Sequence, residues 1–410
     1  MTLTDHRPFS DRISEITASL TLAISARAAE MRRQGVDVID LSTGEPDFPT
    51  PPAVIEAAAA YLRVGQVKYT AVAGLPELRD AVAEKVGAEC GLPVRRVQVI
   101  VTNGVKHGLY SALQVLCNPG DEVVLASPYW LSYPEMARLA GASAVAVPTR
   151  QEDGFELDPA ALEASITDRT RILILNSPSN PTGAVLSART LANLVEVALR
   201  HDLWILSDEI YDKLVYDGTC HVSPLTLDLP DRERAALRER TILFNGVSKA
   251  YAMTGWRIGY AVGPEAVIDA MERIQSHETA NPNTLAQVAA LAALSGDQAV
   301  VESNRRQFDA RRRLMCDAVA AIPGWVNREP KGAFYVFPNV AALYGRQTPA
   351  GVTLTGSMDL AMQLLDEAHV ATVPGVVFGD DAFLRLSYAT SPERITTGVR
   401  RIAEFVGQLR

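Results

Sequence analysis

With 410 residues, 48% of them hydrophobic, the chain exceeds what one core usually serves, so a large domain with a smaller companion is expected. Acidic residues outnumber basic ones by 48 to 39, and the net charge of −9 argues against a nucleic-acid partner. The four cysteines, Cys90, Cys117, Cys220 and Cys316, are scattered without paired spacing, which fits reduced, mostly buried thiols and offers no metal pattern.

The opening stretch MTLTDHRPFSDRISE carries acids early and no apolar centre, so it matches neither a secretory signal nor an acid-poor transit peptide. No apolar run reaches membrane-spanning length. A soluble cytoplasmic protein with no membrane partner is the expectation. In LPELRDAVAEKVG, Leu78, Ala81, Val82 and Val86 share a helical face. From about residue 95 to 265 short β-rich runs recur: VQVIVT, DEVVLASP, ASAVAVPT, RILILN, LWILSDE, TILFNGVS and RIGYAVGP. They are apolar throughout instead of alternating, which predicts strands covered on both faces, as in a mainly parallel sheet. Between several of them lie helical patterns such as ARTLANLVEVALRHD, with Leu191, Leu194, Val195, Ala198 and Leu199 at helical spacing. The alternation predicts an α/β domain, its mainly parallel central sheet flanked by helices, over residues 48–295.

Beyond residue 295 the pattern changes. A long amphipathic helix is predicted through VVESNRRQFDARRRLMCDAVAAI, its arginines forming a solvated face. After it come GAFYVFPNV, the helical SMDLAMQLLDEAH, the strand AFLRLSYAT, and a last helix with Ser391 as N-cap and Pro392 in its first turn. Residues 1–47 and 296–410 together are expected to form a smaller α+β domain. There is no internal repeat and no low-complexity linker.

In open α/β sheets ligands sit beyond the carboxyl ends of the strands, and several candidate residues stand there. VQVIVT runs into Asn103-Gly104-Val105-Lys106 and an apparent helix, whose N–H groups could cradle a phosphate. RILILN leads to a proline-rich turn presenting Asn180; LWILS ends in Asp208, with Tyr211 shortly after; TILFNGVS ends at Lys249. Taken singly, Asp208 could be a helix N-cap, Asn180 a turn residue and Lys249 a surface lysine. Those three, together with the Asn103 to Lys106 turn, stand at four strand ends and point instead to one site.

SPSNPTG, SDEIY and GVSKAYAMTGWRIG occur in that order along the chain. On these motifs the sequence resembles the class I aminotransferases of the pyridoxal-phosphate fold-type I superfamily, and is most similar to their bacterial aspartate aminotransferase branch. The resemblance extends from LSTGEPDF, near residue 41, to LRLSYATS, near residue 391. A lysine ordinarily titrates near about 10.4, but apolar surroundings and neighbouring cations favour its neutral, nucleophilic form. The resemblance implies that Lys249 holds pyridoxal 5′-phosphate as a Schiff base and then serves as the proton-transfer base. By the same resemblance Arg257 grips the phosphate, with Gly104, Val105 and Ser248 assisting, and Asp208 pairs with the pyridine nitrogen. Asn180 and Tyr211 hydrogen-bond the ring's phenolic oxygen, Trp130 stacks on the ring, and Arg385 takes the substrate α-carboxylate close to Gly44. Tyr69 reaches the phosphate of a neighbouring subunit, so a homodimer with shared active sites is expected.

Lys106 could serve the phosphate or meet a distal substrate carboxylate, with Thr21 as a helper. The implied reaction moves an amino group between an L-amino acid, aspartate in first place, and a 2-oxo acid, 2-oxoglutarate in first place. Aromatic or prephenate substrates are the alternative, as are oxidase, lyase or decarboxylase chemistry on the same fold. Val105 stands where relatives often carry a second glycine, and ITASLT lacks the proline often found before its serine. A regulator built on this fold would need an added DNA-binding domain, which is not expected because the aminotransferase pattern begins near residue 40, and no G-x-G-x-x-G follows an early strand as a dinucleotide-binding dehydrogenase would require.

Overall fold

The structure, a computed structural model, describes residue 16 and residues 20–410. A two-residue strand, β1 (Ile39–Asp40), precedes the strands of the main sheet: β2 (Val99–Thr102), β3 (Glu122–Ser127), β4 (Ser143–Pro148), β5 (Thr170–Asn176), β6 (Trp204–Asp208), β7 (Thr241–Gly246) and β8 (Gly259–Val262). Their order across the sheet is β2-β8-β7-β6-β5-β3-β4. The neighbours from β7 to β4 pair in parallel, whereas β8 runs antiparallel to both β7 and β2. β2 therefore points the same way as β7. Val99 to Val101, Val123 to Leu125, Ile172 to Leu175 and Ile242 to Phe244 are all buried, as strands covered by helices on both faces must be. Helices such as Ala188–Arg200 supply that cover, its Leu191, Leu194, Val195 and Ala198 turned inward and Ser187 capping its first turn.

Four short strands follow: β9 (Tyr335–Val336), β10 (Val370–Ala371), β11 (Val373–Pro374) and β12 (Leu384–Ser387). β12 is the middle strand of a three-stranded antiparallel sheet, β11-β12-β9, and β1 pairs in parallel with β10. The helix Pro392–Gly407 opens as expected, the Ser391 hydroxyl accepting the Arg394 N–H.

Two expectations need correction. The arginines of the helix Ala299–Ala320 do not form one solvated face. Arg312 is fully buried, pairing with Asp309 at 2.7 Å, Asp217 at 2.9 Å and Glu329 at 2.5 Å. Arg311 is also buried and pairs with Asp47 at 2.6 Å. Helical spacing places both on the stripe of Phe308, Met315 and Val319, and carboxylates arriving from distant segments make the buried charge tolerable. Arg306 and Arg313 do face solvent. The cysteines, although free, are less enclosed than expected: Cys220 is exposed and the other three are only partly buried.

Candidate active site

Because β2, β5, β6 and β7 run the same way, their carboxyl ends open on one edge of the sheet, and the reversed β8 begins there. That edge collects Asn103-Gly104, the Ser177 to Gly183 turn, Asp208, Ser248-Lys249 and Arg257. Gly104 has φ +82°, and a Cβ on it would lie 2.5 Å from the Arg257 Nη2 atom. A Cβ on Gly259 would lie 2.5 Å from the Val105 nitrogen, so two backbones meet at this point and only glycine lets them. The helix Val105–Leu116 starts with no side-chain cap, leaving its first N–H groups without intrahelical acceptors. Arg257 approaches from the left-handed region at φ 58°, its Nη1 donating to the Thr254 carbonyl at 2.8 Å. Free helix-terminal donors beside a guanidinium make an anion cradle. A cavity of about 720 Å³ opens next to it, lined in part by Glu45, Asn103, Thr254 and Arg257.

Lys249 donates from Nζ to the Gly44 carbonyl at 2.6 Å and lies 5.9 Å from the Tyr211 ring centre and 5.8 Å from that of Phe334. Burial first, then the nearby Arg385 and Arg257 charges, holds its ammonium down to about 8. Asp208, only 3% exposed, accepts from the Tyr133 hydroxyl at 2.7 Å and from the Ile210 N–H at 3.3 Å. Desolvation raises its carboxyl to about 6 despite those two donors, with the Glu209 charge adding to the rise. No helix follows Asp208, so it is not an N-cap. The Asn176 amide donates to the Asp208 carbonyl and accepts from the Asn180 N–H, tying the β5 turn to the β6 end.

Arg385 is buried in the middle strand of its sheet, not exposed on an edge. It donates to Asn180 Oδ1 at 2.9 Å and to the Ser42 carbonyl at 2.7 Å, and packs 4.4 Å from the Tyr335 ring centre. Its Nε is buried without an acceptor among the described residues. The Tyr211 and Tyr335 hydroxyls bond each other at 2.9 Å, and burial lifts the Tyr211 phenol well above its ordinary range. Gly44 fits beside them: a Cβ there would stand 3.2 Å from the Tyr335 hydroxyl. Trp130 meets Tyr133 edge to face, and the Lys106 ammonium sits 4.8 Å from the Trp130 ring centre. Desolvation and the Arg257 charge lower the Lys106 pKa.

These contacts join Lys249, Gly44, Arg385, Asn180 and Tyr211 into one cluster, with Asp208 and Trp130 linked through Tyr133. Ser248 is buried at the same strand end, and Val105 supplies the first N–H of the helix. Tyr69 stands apart, 90% exposed. The Thr21 side chain lies outside the described residues. Tyr133, Tyr335 and Asn176 escaped the reading of the sequence. Tyr133 lies three positions beyond Trp130 and Asn176 four before Asn180, so proximity to a marked residue was the available signal for both; Tyr335 had none, since it reaches the site through β9.

An anion cradle, a lysine of lowered pKa, a buried carboxylate at a strand end and an arginine with an unused donor fit the phosphate, aldehyde, ring nitrogen and substrate carboxylate of pyridoxal 5′-phosphate chemistry. The comparisons agree. The chain is 45% identical to an aspartate aminotransferase of Geobacillus stearothermophilus over 96% of its own length and 98% of that protein's. It is equally similar to an aspartate/prephenate aminotransferase of Cereibacter sphaeroides, at 45% identity over 98% and 99% of the two chains. Among solved structures, the Rhizobium meliloti aspartate aminotransferase superposes with a TM-score of 0.93 at 43% identity, covering 98% of this chain and 99% of that one. The Thermus thermophilus aspartate aminotransferase with maleate gives 0.89 at 44% identity over 97% and 99%. The sequence profile described as aminotransferase class I and II matches residues 36–402, and with the sheet edge just described it places the chain in that pyridoxal-phosphate-dependent family, fold type I.

Proposed function

We propose that this aminotransferase takes aspartate as its preferred donor and 2-oxoglutarate as its preferred acceptor, with Lys249 as the catalytic lysine. The observation that carries the reading is that the Ser42 to Gly44 segment holds both groups: the Gly44 carbonyl accepts from the low-pKa Lys249, and the Ser42 carbonyl accepts from the buried Arg385, which keeps an unused Nε donor. When bound, pyridoxal 5′-phosphate supplies an aldehyde that captures the amine and a ring that accepts electrons from the substrate Cα. Lys249 Nζ, about half neutral near pH 8, would be the nucleophile toward that aldehyde and then the group that takes the proton from the substrate Cα and delivers it to the cofactor's aldehyde carbon. The Gly44 carbonyl accepts from Nζ and fixes its direction. Asp208, ionised above its raised pKa of about 6 and held by Tyr133, would keep a proton on the ring nitrogen. Tyr211, kept protonated by burial and by Tyr335, would donate to the phenolic oxygen, with Asn180 as a second partner. Arg385 aligns the α-carboxylate, so that the Cα–H bond is presented to Lys249.

Incubating the cofactor-loaded enzyme with one amino acid at a time and quantifying the 2-oxo acid formed in a single turnover tests this reading. Aspartate should give oxaloacetate fastest. Stoichiometric carbon dioxide or peroxide would instead favour decarboxylase or oxidase chemistry. Prephenate is a second substrate in view, because one 45% identical relative is named for it and it too carries a second carboxylate.

Lys106 is the proposed partner of the distal carboxylate; the T. thermophilus relative was solved with maleate, a dicarboxylate, which fits a site that takes two carboxylates. Lys106→Ala should lower kcat/KM for aspartate and glutamate by roughly tenfold to a hundredfold, as a lost charged hydrogen bond of about 1.5–3 kcal/mol implies. Alanine as donor should lose far less. Equal losses for both donors would assign Lys106 to the phosphate.

A homodimer completes the proposal. Tyr69 is exposed together with Ile55, Leu62, Val64 and Val67 on one stretch of chain, an apolar surface that a second copy would cover. Tyr69→Ala and Lys249→Ala subunits, each inactive alone, should regain activity when mixed and reassembled, because one hybrid site has both residues intact. Failure to recover after demonstrated subunit exchange would refute a shared site.

A further inference from the structure

Several helices of this protein begin conventionally, with the side chain of Asp158, Ser187, Asn283 or Ser391 accepting a first-turn N–H. The helix Val105–Leu116 begins instead with Gly104, which has no side chain to do so. A conventional cap would occupy a donor that the proposed phosphate needs. Something else must hold this turn, and the third helical residue, His107, does so by folding back. Its Nδ1 accepts the Asn103 N–H at 3.2 Å, one residue ahead of the cap position. Nδ1 can accept only while it carries no proton, so the ring proton sits on Nε2, which faces Glu278 Oε2 at 2.9 Å. Glu278 is the last residue of the helix Glu265–Glu278, and the adjoining Thr279 accepts from the Asn103 side-chain amide at 3.1 Å. Ser111 Oγ bridges the same pair, 3.0 Å from the His107 carbonyl and 3.4 Å from Glu278 Oε2. Both side chains are largely shielded, at 14% and 26% exposure.

We infer that His107 and Glu278 are a positioning pair for the cofactor phosphate: Glu278 fixes the histidine tautomer, and His107 then anchors the Asn103-Gly104 turn from outside, leaving the first N–H groups of the helix free for the anion. The inference rests on the pyridoxal-phosphate reading of the site. It separates the holding of the turn from the binding of the ligand, so its loss weakens phosphate affinity without removing any group that touches the reacting atoms.

The test is cofactor affinity, measured by titrating stripped protein with pyridoxal 5′-phosphate and, in parallel, with pyridoxal, which lacks the phosphate. His107→Ala should raise the Kd for pyridoxal 5′-phosphate about tenfold, which is about 1.4 kcal/mol, while the Kd for pyridoxal stays within about twofold of wild type. At saturating cofactor, kcat should stay within about threefold of wild type. His107→Gln should restore the affinity, because its amide can accept from Asn103 and donate to Glu278. Glu278→Ala provides a second route should His107→Ala fold poorly, and should weaken pyridoxal 5′-phosphate in the same direction. Unchanged affinity in both alanine variants, or equal losses for pyridoxal and its phosphate, would overturn the pair. A wild-type protein that takes up no pyridoxal 5′-phosphate would overturn the functional reading beneath it.

Discussion

Lys249→Ala should reduce transamination by more than roughly 10⁴-fold, because one substitution removes both the covalent anchor and the proton-transfer base. The expectation rests on the environment of Nζ. A lysine in water keeps its proton at neutral pH and is neither nucleophile nor base. Here burial, Arg385 and Arg257 bring the value to about 8, and the Gly44 carbonyl directs the nitrogen. The same environment costs stability in the cofactor-free protein. With about 8 folded against 10.5 ordinarily, the native state binds fewer protons, so stability from this group is lowest below pH 8 and rises towards pH 10.5. Treating the loaded wild type with borohydride and mapping the labelled peptide gives a check independent of activity. Label on any lysine other than Lys249 would refute the assignment, as would a Lys249→Ala variant that still turns over.

The central strands were legible because their burial is written locally: Val99 to Val101 or Ile172 to Leu175 are apolar at every position, and only a strand covered on both faces tolerates that over so short a run. The reversed direction of β8 was not legible. Nothing in RIGYAVGP distinguishes an antiparallel strand, yet that reversal delivers Arg257 to the edge where Gly104 waits. Lys249, Asp208 and Asn180 could be marked because each ends or closely follows a predicted strand. Tyr335 could not, because its place beside Tyr211 and Arg385 depends on β9 pairing with β12, a contact between segments some fifty residues apart in sequence. Arg312 failed for a related reason. Helical periodicity put it on the inner stripe, but an arginine there is intelligible only once Asp217 and Glu329 are known to arrive from other segments.

Asp208→Ala should leave the protein folded and lower kcat by roughly 10³-fold, about 4 kcal/mol of transition-state stabilisation. The size of the effect follows from charge in a dry place. Asp208 is 3% exposed at the end of β6, where its field is little screened, and Tyr133 and the Ile210 N–H hold the carboxylate in one orientation. Asp208→Asn keeps the shape and removes the charge, so it should lose nearly as much activity; retained activity there would show that shape, not charge, is what matters. Stability moves the other way. The carboxyl titrates at about 6 in the fold against 3.8 ordinarily, so the native state binds more protons between those values. Its contribution is most favourable below pH 3.8 and is lost as pH rises through 6, leaving the ionised group a burden of about 3 kcal/mol at pH 7.5. Cofactor-free Asp208→Asn should therefore melt a few degrees above cofactor-free wild type at pH 7.5, with the gap narrowing as the pH is lowered below 6. A carboxylate kept only for structure would show the reverse, melting lower once neutralised, and near-normal single-turnover rates in Asp208→Ala would remove it from the chemistry altogether.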